Sequence, residues 1–206
     1  MKFELEPLLL ARAGSWRYGY VEEDSDRDFM VLTSAEDRYE ADLETGSDYF
    51  FVSLEGLRAR WGHPLFLGNI TGAFSGDGRL CAFLEGNRYS ITYSAPGRTA
   101  LSGLEYIAQG EEAGYNSTVK AGLRTAMILA HMAERLEDPF LFSEAEKAIL
   151  IRARTGGVPQ RERVEIYRHT ICPENLDKLR RMPENTTVKT ELFALLEEIC
   201  KEKSHD

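Results

Sequence analysis

The sequence predicts an α+β fold: a small α/β domain over residues 1–110, then an α-helical domain over residues 111–206. Three observations lead there. The first half carries short apolar runs bounded by glycine, such as Leu8-Leu9-Leu10-Ala11 and Asp48-Tyr49-Phe50-Phe51-Val52, of strand length and, in the second, strand composition. Past Gly114 the chain becomes long-period and alanine-rich, with few breakers, as helices require. Hydrophobic residues make up 43% and charged residues 29% of the 206, the balance of a chain with a real core.

The elements follow in order. Leu8 to Ala11 reads as a strand, which Gly14-Ser15 ends in a tight turn. Asp26 to Leu32 is the next strand and Asp48 to Val52 another. Ser53 then caps a helix, with Glu55 in its first turn. Trp61-Gly62-His63-Pro64 interrupts it, and His63, before a proline, reads as an ordinary loop histidine. Gly72 to Arg79 reads as a glycine-rich loop with no phosphate-loop motif and no helix signal directly after it. Asn116-Ser117-Thr118 offers a cap for a helix from Val119 to Leu136, with Leu123, Met127, Ala130 and Ala133 as its core stripe. Ser143 and Glu146 have capping-box spacing for a helix that runs to about Arg154 and ends at Gly156-Gly157. Gln160 to His169 and Glu174 to Met182 read as short helices, punctuated by Pro173 and Pro183. Thr187 to Lys203 is amphipathic, with Val188, Leu192, Leu195, Leu196 and Ile199 turned inward.

Several classes are excluded by composition. The longest apolar runs are a few residues, as in Pro7 to Ala11, against the ~20 of a membrane-spanning helix. The start Met-Lys-Phe-Glu-Leu-Glu lacks the pattern of a signal peptide, so a cytoplasmic protein with no membrane partner is expected. Cys81, Cys172 and Cys200 are far apart and have no zinc spacing, so reduced thiols are expected. The net charge of −9 argues against a general grip on nucleic acid. The charge is uneven: residues 151–190 hold nine Arg and Lys against five Asp and Glu, so this stretch is +4 and the remainder −13. Such a stretch either faces phosphates or forms a solvated helical face with i,i+4 pairs.

The chemistry is concentrated in Gly14-Ser15-Trp16-Arg17-Tyr18-Gly19 and Ser25-Asp26-Arg27-Asp28. On a strand, residues two apart point to one side, so the carboxylates of Asp26 and Asp28 would lie about 6–7 Å apart. Two such charges repel unless a cation lies between them, and a hard divalent ion with oxygen ligands, one that also binds substrate phosphates, suits them. The Gly-Ser turn upstream offers backbone N–H groups that suit a phosphate.

This order of strand, Gly-Ser turn, connection and acid-paired strand resembles the signature of the DNA polymerase β superfamily of nucleotidyltransferases. It is closest to a bacterial and phage group whose motif reads roughly G-S-x-x-Y-G-x-x-x-x-x-S-D-x-D. Gly14, Ser15, Tyr18, Gly19, Ser25, Asp26 and Asp28 fill every fixed position. The resemblance implies a nucleotidyltransferase domain built on a short mixed β-sheet, with an α-helical bundle domain closing the nucleotide cleft. It implies transfer of an NMP from an NTP, expected to be ATP, to a hydroxyl with Mg²⁺ or Mn²⁺.

The family places a third acid on a later, adjacent strand leading into a Ser-Leu helix start. Asp48, with Ser53-Leu54 behind it, fits, and Gly62-His63-Pro64 resembles the family's Gly-Asn-Pro turn. Asp42 is the competitor, but its strand would have to cross Gly46, a strand breaker. By the resemblance, Asp26, Asp28 and Asp48 are the catalytic and metal-binding residues. Gly14 and Ser15 would bind the β- and γ-phosphates, flanked by Arg17 and Tyr18. The family's helical domain also holds the triphosphate through a Lys followed by His or Arg. Here Lys120 and Arg124 share a helix face, and His131, eleven residues from Lys120, reads as structural. Trp16 departs from the small or basic residue common in the family. The match is specific only in Gly14–Asp28 and Asp48–Leu54. An RNA 3′ end, a protein or a small molecule remains open as acceptor, and the oligomeric state is unread. The alternative is a non-catalytic module, antitoxin-like, that keeps the fold to bind a nucleotide or a partner.

Overall fold

The computed structural model describes residues 7–21 and 25–203. The first six residues, on which the reading of the N-terminus rests, lie outside them. Five strands and eleven helices form among the described residues. In chain order they are β1 (Leu9–Arg12), α1 (Gly14–Arg17), β2 (Arg27–Leu32), β3 (Arg38–Asp42), β4 (Ser47–Val52), α2 (Leu54–Ala59), α3 (Pro64–Thr71) and β5 (Ala73–Gly76). Helices follow: α4 (Gly78–Gly86), α5 (Arg88–Thr92), α6 (Pro96–Ala113), α7 (Asn116–Ala133), α8 (Glu144–Arg154), α9 (Gln160–Thr170), α10 (Pro173–Arg181) and α11 (Thr186–Lys203).

The strands form one mixed sheet in the order β3-β4-β2-β1-β5. β2 and β4 run parallel, and the other pairs are antiparallel. Leu9, Ala11, Met30, Leu32 and Val52 alternate onto one buried face, as period-two strands require. Two strands depart from expectation. β3 is an edge strand with no buried residue, so its apolar signal is weak. β5 occupies the glycine-rich segment read as a loop, and Asp77 caps α4 directly after it by accepting from the Arg79 and Leu80 amides.

The chain forms two compact units. Of the described residues, the first holds those up to Trp61, Phe66–Ser94 and those from Asn185 to Lys203. The second holds Gly62–Leu65 and Ala95–Glu184. The break expected near residue 110 falls inside α6, and the last helix belongs with the sheet. Its apolar residues explain why: Val188, Leu192, Phe193, Leu196 and Ile199 are buried. Trp61 meets the Phe193 ring edge-on at 5.7 Å. Arg79 on α4 binds Glu198 at 3.0 Å and Glu202 at 2.6 Å on α11. Asn185 N donates to Ser94 O at 2.8 Å where the chain returns.

In the second unit α7 is the central helix. It is buried nearly all round from Val119 to Leu129, not along one stripe. α6 packs against it so closely that a Cβ on Gly110 would lie 2.9 Å from Thr118 O. Gly114 ends α6 at φ +70°, a left-handed cap. The basic stretch carries i,i+4 ion pairs, namely Arg161–Glu165, Lys178–Glu174 and Arg181–Asp177. Arg163 pairs with Glu111 at 3.1 Å. No helix among the described residues is long and apolar enough to cross a membrane.

The expected capping box at α8 is present, with Ser143 and Glu146 bonded reciprocally. Glu146 also meets His131 Nε2 at 2.8 Å, while His131 Nδ1 lies 3.0 Å from Pro139 O, so His131 locks α7 to α8. Burial raises the Glu146 carboxyl, but the Ser143 hydrogen bonds and the His131 contact outweigh it and leave it below its ordinary value. A depressed carboxylate stabilises the fold above its unfolded pKa and loses that contribution as pH falls through the folded one. Glu146→Gln should therefore lower the melting temperature at neutral pH and flatten its fall into the acid range. Thermal melts from pH 7 to pH 3 check this, and parallel curves for the two proteins would contradict it.

Candidate active site

The sheet register brings two of the expected acids together. Asp28 on β2 lies directly opposite Asp48 on β4, and register partners on neighbouring strands point to the same face. Both sit half-buried near the start of their strands. Asp26 is exposed, one residue before β2. Across the other ladder, Ala41 faces Asp48 and Tyr39 faces Phe50, so Tyr39 joins the acidic face. Asp42 pairs with Ser47 and projects to the opposite face. Its carboxylate accepts from the amides of Glu44 at 3.1 Å and Thr45 at 3.4 Å, closing the β3–β4 hairpin. The Thr45 side-chain hydrogen bond, with these amides, holds it below the usual range.

Tyr39 was not among the residues singled out from sequence. Its phenol lies beside the Asp48 carboxylate, whose influence is the largest cause raising it above its ordinary value. Lost hydration and the charges of Asp48, Asp28 and Asp26 add to it. One phenol thus senses all three acids while its ring stays 56% exposed. The available signal was the hairpin turn from Asp42 to Gly46, which makes the preceding polar run a strand beside β4.

Gly14 sits against the acids. Its φ is +54°, and a Cβ there would lie 1.6 Å from Asp28 Oδ2. The Asp28 carboxylate therefore occupies the space a side chain would fill, and Ala13 N donates to Asp28 O at 2.8 Å. The rest of the turn is largely inward. Ser15 is buried, and its carbonyl accepts from the Tyr18 and Tyr20 amides, each at 3.3 Å. Tyr18 is 2% exposed and stacks on Tyr20 at 6.4 Å. Arg17 Nε donates to Gly68 O at 2.7 Å, tying α1 to α3. That bond engages Arg17 in the protein's own architecture. Lys120 and Arg124 lie on α7 in the second unit, where Lys120 is half-buried and Arg124 only 7% exposed. Arg124 therefore is not part of a solvent-facing cationic stripe.

Three carboxylates are hard oxygen donors, the kind that Mg²⁺ or Mn²⁺ takes. Asp28 and Asp48 share a face, and Gly14 clears space beside Asp28, so the donor chemistry suits such an ion. Among the described residues, no three His, Cys, Asp or Glu side chains are gathered tightly enough to hold one. All three cysteines are free thiols. Comparison with known protein families and with characterised proteins found no match to this chain.

Proposed function

We propose that the chain is a Mg²⁺-dependent nucleotidyltransferase that moves an NMP from an NTP, expected to be ATP, to an acceptor hydroxyl. The observation that carries this is the Asp28–Asp48 register on one sheet face, combined with the Gly-Ser turn against Asp28. Asp26, Asp28 and Asp48 would hold the divalent ions, which when bound neutralise phosphate charge and acidify the attacking hydroxyl. The acceptor oxygen forms a bond to the α-phosphorus as the bond to the bridging oxygen breaks, and pyrophosphate leaves. Asp48 accepts the hydroxyl proton, with the Tyr39 phenol beside that carboxylate. Gly14 and Ser15 approach the β- and γ-phosphates through their backbone.

A second reading, a non-catalytic nucleotide- or partner-binding module, is favoured by one observation. Arg17 and Arg124, expected to face phosphates, are drawn into the protein's own packing.

Incubation with each α-³²P-labelled NTP, Mg²⁺ or Mn²⁺, and total RNA or total protein separates the two. Label transfer supports the enzyme. Its absence with every nucleotide, metal and acceptor supports the module.

Metal linkage gives an independent prediction. An ion that binds only the folded state at 100 times its Kd adds about 2.7 kcal/mol. For a chain of this size that raises the melting temperature by about 5–10 °C. Asp26→Asn should remove most of the shift. An equal shift in both proteins would place the ions elsewhere.

A further inference from the structure

The sheet face opposite Asp28 and Asp48 carries a second feature. Arg27, Phe29 and Tyr49 alternate with the acids along β2 and β4 and so project the other way. Phe29 and Tyr49 are register partners with rings stacked at 5.2 Å and 14°. Trp16 meets Phe29 edge-on at 5.2 Å, and Phe74 lies 6.2 Å from it. Two guanidiniums cover these rings. Arg12 lies 5.0 Å from the Trp16 centroid and 5.6 Å from that of Phe74, and Arg27 lies 5.5 Å from Trp16.

A core would bury such a cluster, but this one stays open. Arg12 and Arg27 are exposed, Phe74 is 48% exposed, and Trp16, Phe29 and Tyr49 are half-buried. Among the described residues, neither guanidinium has a carboxylate partner. The nearest acid on this face by register is Glu40, opposite Tyr49, and it is engaged with Arg38 at 2.6 Å. Among the described residues this face is locally cationic, on a chain of net charge −9.

We propose that this aromatic and arginine face binds single-stranded nucleic acid. The occupant must present flat π-faces to the rings and negative charge to the guanidiniums, and an unpaired polynucleotide strand does both at the same repeat. Base stacking on aromatic residues tolerates any sequence, so the face reads strandedness and charge, not sequence. A duplex keeps its bases stacked on one another and cannot offer them. The inference stands apart from the catalytic reading, to which it would supply the class of acceptor.

The test uses the whole chain and a fluorescein-labelled 12-nucleotide single strand, RNA or DNA, without NTP or divalent ion. Anisotropy should rise at low salt, and Trp16 emission should be quenched, with Trp61, 2% exposed, as the constant background. Trp16→Ala should weaken binding by about tenfold or more, and Trp16→Phe should retain most of it. Arg12→Gln with Arg27→Gln should flatten the salt dependence by about 1.4 log units per decade, at ~0.7 per phosphate contact. Circular dichroism checks folding. If Trp16→Ala does not fold, the exposed arginine pair decides. No anisotropy change at low salt, full affinity in the arginine pair, or equal displacement by duplex or by an acidic peptide would each overturn the proposal. Strand binding without nucleotidyl transfer upholds it and sinks the catalytic reading. Transfer without strand binding does the reverse.

Discussion

Asp28→Asn is expected to reduce nucleotidyl transfer by a factor of about 10² or more, with little change in folding. The substitution keeps the side-chain shape but removes a charge. Asp28 lies in register with Asp48 and within the electrostatic reach of Tyr39, so losing that charge leaves the remaining two acids a poor site for a divalent ion. Removing one acid from a like-charged group also relieves repulsion, so thermal stability without metal should hold or rise. Asp48→Asn should be equally inactive. Asp42→Asn should keep activity, because Asp42 faces the other side and closes the hairpin. Turnover of labelled NTP by the three variants, set beside their melting curves, checks the assignment. An inactive Asp42→Asn beside an active Asp48→Asn would transfer the third role to Asp42.

The second large effect concerns Gly14→Ala, which should cost about 2–3 kcal/mol of stability and lower the melting temperature by about 5–10 °C. A left-handed φ of +54° costs an alanine about 1 kcal/mol by itself. The remainder comes from overlap, since the new Cβ would sit 1.6 Å from Asp28 Oδ2 and push the carboxylate aside. That displacement should also suppress activity beyond what destabilisation explains. A double-mutant cycle separates the two costs. In Gly14→Ala with Asp28→Ala the overlap is gone and the backbone cost stays, so the coupling should be about 1 kcal/mol or more. An additive cycle would mean that the Asp28 carboxylate does not rest on Gly14.

Local sequence determined several helix ends well. The Ser143–Glu146 capping box, the stop at Gly156 and the Ser53 cap are interactions among residues close in the chain, so their signals are complete within a few positions. The apolar strands β1, β2 and β4 were legible for the same reason: burial writes a period or a run into the residues themselves. The motif from Gly14 to Asp28 likewise announced which acids to watch.

Tertiary structure decided the rest. β3 and β5 are edge strands that borrow their hydrogen bonds from partners elsewhere in the chain, so their own residues carry little strand signal. The assignment of α11 to the sheet unit depends on side chains such as Phe193 meeting Trp61 far away in sequence. Arg124 reads as one more helix cation, and only the packing around α7 shows that it is buried. The facing of Asp42, the placing of Tyr39 beside Asp48 and the clustering of Arg12, Trp16 and Phe74 around Phe29 all depend on strand register. Register depends on long-range pairing: a slip of one residue would exchange every side chain between the acidic and the aromatic face.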